Sequence, residues 1–72
     1  MNHANFSKNL KEVLTTLGMT QAEFARRSGL SETLISNYMS GRRQPAVENL
    51  CKILSALPIN FERLVAERPQ AG

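Results

Sequence analysis

The chain has 72 residues, 42% hydrophobic and 21% charged, with a formal net charge of +3 and a pI near 9.6. This is one domain, of a size at which only about 60% of the unfolded surface is buried on folding, so it needs well-capped helices, a dimer partner, or both. The single cysteine, Cys51, excludes an internal disulfide, the single histidine, His3, leaves no Cys/His pair at zinc-ligand spacing, and no apolar run approaches the ~18 residues of a membrane span.

The charge is unevenly placed. Lys8, Lys11, Arg26, Arg27, Arg42 and Arg43 outnumber Glu12, Glu23 and Glu32, so the whole surplus lies before Pro45. Beyond it, Lys52, Arg63 and Arg68 balance Glu48, Glu62 and Glu67. A basic balance favours a polyanionic partner. The N-terminus lacks the basic and apolar regions of a signal peptide, so a cytoplasmic location is expected.

Residues 6 to 17 form the first expected helix. Phe6, Leu10, Val13, Leu14 and Leu17 recur at the spacing of one buried stripe, and Gly18 follows as the residue that takes positive φ. Thr20-Gln21-Ala22-Glu23 fits a capping box, with Met19 and Phe24 as its hydrophobic staple. A second helix should run from Gln21 to Ser28 and end at Gly29. Ala22 and Ala25 are small enough to let a neighbouring helix approach. Ser31 caps a third helix, with Leu30 and Ile35 as staple, after a turn of a few residues. Two helices joined by a short Gly-containing turn make a helix-turn-helix.

The third helix divides cleanly. At about 100° per residue, Leu34, Tyr38, Ile35 and Met39 fall in one arc of roughly 140°, and Glu32, Ser36, Ser40, Thr33 and Asn37 in the opposite one. The polar face carries short hydrogen-bonding groups rather than a mixture of long charges, which suits close reading of another surface. Tyr38 reads as packing, with a hydroxyl able to reach a phosphate at the edge. Met39 reads as core rim, or as a contact for a thymine methyl. Gly41-Arg42-Arg43-Gln44-Pro45 is a loop whose bases flank the polar face. The fourth helix, from Pro45 or Ala46 to Leu57, has the stripe Val47, Leu50, Leu54 and Leu57, widened by Cys51 and Ile53. Cys51 reads as a small core residue. Pro58 stops this helix, and Asn60 caps a short fifth one with Ile59 and Leu64 as staple. Residues 1–66 form the expected domain, and 67–72 a flexible tail.

Catalysis finds no support. His3 is near the terminus, Cys51 has no base beside it, and there is no Gly-rich phosphate loop. Neither enzyme activity nor a cofactor, metal or small-molecule ligand is expected. Gln21 opens the second helix, where unpaired backbone N–H groups make an anion site, so it is a candidate phosphate clamp. Arg26 and Arg27 serve either the helix dipole or a polyanion.

The run Thr20 to Ala25, then Ser28-Gly29-Leu30-Ser31, Ile35-Ser36-Asn37-Tyr38, Gly41 and Pro45 resembles the helix-turn-helix of phage repressors and Cro proteins. The likeness covers residues 6 to 66. It implies an all-α, compact five-helix lambda repressor-like fold, and a transcriptional regulator of phage or prophage type. Such a protein would bind double-stranded, palindromic operator DNA as a homodimer in the host cytoplasm. Repression would then act by occluding polymerase. By position, base contacts would come from Glu32, Thr33, Ser36 and Asn37, and phosphate contacts from Gln21, Ser31, Ser40, Arg42 and Arg43. The dimer contact would involve Pro58, Ile59, Asn60 and Phe61. Many members carry Trp in place of Tyr38, Glu in place of Met39, and Gln or a base in place of Glu32. Glu32 either accepts from cytosine N4 or is a first-turn acid favoured by the helix dipole. The rival reading is an antitoxin-like or adaptor module that turns the same polar face towards protein.

Overall fold

The computed structural model describes residues 3–66, and the expected tail at 67–72 lies outside them. Among the described residues there are five helices and no strands: α1 (His3–Leu17), α2 (Gln21–Ser28), α3 (Glu32–Met39), α4 (Val47–Ala56) and α5 (Phe61–Val65). The all-α, five-helix lambda repressor-like expectation holds. α1 begins three residues earlier than the apolar stripe alone indicated. α4 ends at Ala56, one residue early, because Leu57 precedes Pro58 and takes extended angles (φ −124°, ψ 143°).

α1 packs on α3 and α5, and α2 packs on α3 and α4. The core draws Phe6, Leu10, Val13 and Leu14 from α1, Phe24 and Ala25 from α2, and Ile35 and Tyr38 from α3. Ile53, Leu57 and Leu64 close it. Met19, Leu30 and Ile59 pack half-buried at its margin, as the staple positions require. Ala25 enters the core, but Ala22 is exposed, so only one of the two alanines serves helix approach.

The helix-turn-helix is held by its termini. Thr20 Oγ1 accepts from the Glu23 N–H at 3.1 Å, and Ser31 Oγ accepts from the Leu34 N–H at 3.1 Å. Each such cap contributes about 1 kcal/mol. Only half of the capping box forms, because the Glu23 carboxylate pairs with Arg27 one turn on, at 3.0 Å. Gly29 takes φ 74° and its N–H reaches Ala25 O, which ends α2 and lets α3 start after two further residues.

Three apolar assignments are corrected. Leu17 has the right phase but is 41% exposed, since α1 ends there and the chain turns off at Gly18. Val47 is 77% exposed, and Cys51, expected in the core, is exposed too. The buried side of α4 centres on Ile53, with Leu57 buried just past its end and Leu50 and Leu54 half-buried beside it. Val47 lies about 120° and Cys51 about 160° around the helix from Ile53, on the outward side.

Two polar contacts tie distant parts of the chain. Asn9, only 2% exposed, donates from Nδ2 to Leu64 O and Ala66 O, both at 2.9 Å. Arg63 reaches Glu12 at 2.9 Å on the surface of the same α1–α5 pair. The buried amide satisfies carbonyls at the end of α5 that the helix itself cannot, and so fixes α5 on α1. No helix among the described residues is long and apolar enough to cross a membrane.

Candidate nucleic-acid interface

α3 is seated by its apolar arc. Ile35 is fully buried, Tyr38 is 2% exposed, and Leu34 and Met39 are half-buried against the core. The Tyr38 hydroxyl accepts from Asn49 Nδ2 at 3.0 Å, which links α3 to α4. Tyr38 is therefore a packing residue, and its hydroxyl oxygen is engaged within the fold by Asn49. Met39 is the core rim that its position indicated.

The opposite arc faces outward. Glu32, Thr33 and Ser36 are exposed, and Asn37 is half-buried. Among the described residues, Glu32, Thr33 and Ser36 are engaged in no side-chain hydrogen bond or ion pair. Their donors and acceptors are therefore available at no internal cost. Gln21 is exposed at the first turn of α2, and Ser31, Ser40, Arg42 and Arg43 are exposed at the two ends of α3. The Ser31 hydroxyl oxygen is already used as the cap, which leaves its O–H to donate.

The C-terminal turn of α3 is more connected than residue spacing indicated. Asn37 O accepts from the Arg42 N–H at 3.0 Å, the Arg43 N–H at 3.2 Å and Ser40 Oγ at 3.1 Å. Arg42 Nη1 also reaches Asn37 Oδ1 at 3.4 Å. Gly41 permits this return, with φ 78°. One expected base contact and three expected phosphate contacts thus share a single hydrogen-bonded turn. Arg26 is exposed without such a link, and Arg27 is held by Glu23, which fits the helix-dipole role for α2.

The residues expected at a dimer contact lie at the α4–α5 junction. Pro58, Asn60 and Phe61 are exposed, and Ile59 is half-buried. Asn60 is also the α5 cap, accepting from the Arg63 N–H at 3.2 Å. Phe61, at 47% exposure, is the largest outward apolar side chain among the described residues. Residue spacing overlooked Asn9, Asn49 and the Asn37–Arg42 contact. Only Asn9 left a trace, as a polar residue four before Val13 at the edge of the α1 stripe.

A helix-turn-helix family profile matches residues 10–64 of the chain. The chain belongs to the helix-turn-helix family. Its repressor/Cro-type likeness is borne out by a relative in Vibrio cholerae, the cryptic phage CTXphi transcriptional repressor RstR, 42% identical over 48 residues. That match covers 67% of this chain and 43% of the relative. An uncharacterized HTH-type transcriptional regulator of Coxiella burnetii is 28% identical over 92% of the chain and 31% of its own length. Another from Sinorhizobium fredii, y4dJ, is 36% identical over 86% of the chain and 75% of its own length. The chain thus spans less than half the length of the first two relatives. No solved structure matches the chain.

Proposed function

We propose that the chain is a sequence-specific DNA-binding transcriptional regulator of the repressor/Cro type, acting by binding and not by catalysis. The observation that carries this is the outward polar arc of α3, where Glu32, Thr33 and Ser36 carry no internal side-chain bond, bounded at its C-terminal end by a turn with two exposed arginines. α3 enters the major groove, where Thr33, Ser36 and Asn37 meet base edges and Glu32 accepts from cytosine N4. Gln21, Ser31, Ser40, Arg42 and Arg43 hold phosphates on either side and set the register. Pro58, Ile59, Asn60 and Phe61 join two copies, so that paired α3 helices sit about 34 Å apart on a palindromic operator. Repression follows from occupancy of the operator. The relatives named as transcriptional regulators and as a phage repressor support this reading.

Selection of bound sites from random duplex DNA tests it. A palindrome with half-sites about one helical turn apart is expected. Asn37→Ala should weaken binding by about 1–3 kcal/mol and relax preference at one base pair per half-site. Unchanged affinity and preference in that variant would remove Asn37 from the reading face. A protein that fails to bind DNA or heparin with any salt dependence is instead a protein-interaction module.

A further inference from the structure

The turn after α3 does more than carry phosphate anchors. Arg42 is the only one of its two arginines whose guanidinium reaches a residue of the reading face, through the 3.4 Å contact to Asn37 Oδ1. A guanidinium has donors and no acceptor. It therefore selects which end of the Asn37 amide it meets, and that end must be the oxygen. The amide NH2 is then turned away from Arg42. The backbone holds the pair in register, because the Arg42 N–H bonds to Asn37 O at 3.0 Å and to Ser40 Oγ at 3.4 Å. Arg43 shares the backbone bond, at 3.2 Å, but has no side-chain contact with Asn37.

We infer that Arg42 is a specificity-determining residue that orients the Asn37 amide, in addition to any phosphate it holds. This rests on the reading of α3 as the helix that reads DNA. A free Asn pairs with adenine through both amide atoms, Oδ1 accepting from N6 and Nδ2 donating to N7. With Oδ1 held towards Arg42 and one of its lone pairs taken, Asn37 presents its NH2 as the outward group. It then favours a base that presents an acceptor alone, guanine at N7 and O6 or thymine at O4. Removing the guanidinium releases the amide and returns the adenine pairing.

The test compares Arg42→Met with Arg43→Met in the full chain. Each removes one positive charge, keeps an aliphatic stem, and lies in an exposed loop outside the core. In DNA-free protein, the Asn37 side-chain NH2 resonances should move in Arg42→Met and stay in place in Arg43→Met. In site selection both variants should bind all duplexes more weakly. Only Arg42→Met should shift relative preference towards adenine at a single base pair per half-site, by about fivefold or more. In an Asn37→Ala background that shift should vanish. If both variants select the wild-type site and differ from it only in affinity, Arg42 is a phosphate anchor and the inference is overturned while the DNA-binding reading stands. If the wild-type chain selects no site at all, the reading and the inference fall together.

Discussion

The α2–α3 half and the α4–α5 half of the molecule are built by different rules. In the first, a side-chain oxygen caps each helix start, at Thr20 and Ser31, and Gly29 stops α2. Apolar side chains point inward, and the outward arc of α3 is polar. In the second, α4 follows Ala46, an N-cap residue with no side-chain cap bond, and it turns Val47 and Cys51 outward. Phe61 follows at the start of α5, 47% exposed. Local signals fix a helix when both of its ends are marked. Where the start is unmarked and apolar residues surround the helix, packing chooses the buried side. The two halves also divide labour. A polar outward face suits hydrogen-bonded reading of a groove, whereas an apolar outward edge suits contact with a second copy.

The strongest way to break the first half is through its core. Phe24→Ala should cost about 3–5 kcal/mol, because Phe24 is fully buried. In a domain this small that is most of the stability, and a thermal melt followed by circular dichroism should show loss of the folded baseline near room temperature. The second half depends more on polar ties, of which the buried one is Asn9. Asn9→Ala strips the buried donor from Leu64 O and Ala66 O and should cost about 1–3 kcal/mol. Amide exchange should then accelerate in α5 before it does in α3. Equal acceleration in both would mean that α5 is not a separate unit.

The caps offer a signed comparison. Ser31→Ala should lower stability by about 1 kcal/mol in urea unfolding. Ala46→Ser should raise it by a similar or smaller amount, since Ala46 already has cap geometry at φ −69° and ψ 166°. A loss in both variants would show that α4 is not limited by its missing cap. The smallest effect belongs to Cys51→Ser. An outward cysteine leaves no cavity, so the unfolding free energy should stay within about 0.5 kcal/mol of the parent. A core cysteine would give a clear loss.

Most of the candidate site was legible residue by residue. The polar arc of α3, the exposed Arg42 and Arg43, and the exposed Gln21 follow from helical phase and from where the chain turns. What spacing could not reveal was their connection. Asn37 and Arg42 are five residues apart, beyond the reach of a regular helical pair, and meet only because Gly41 turns the chain back. Asn9 meets Leu64 across 55 residues, so nothing local announced its partner.

The five helices, the two side-chain caps that frame the helix-turn-helix, and the polar arc of α3 all follow from local residue patterns. Those features depend on side-chain to backbone bonds and periodicities contained within a few residues. Packing across the fold chose which side of α4 is buried, which amide fixes α5, and that a loop arginine grips a residue of the polar arc of α3. Those are choices among surfaces of comparable apolar area or reach. They are settled by what lies across the fold, where contact geometry and not residue type selects the partner.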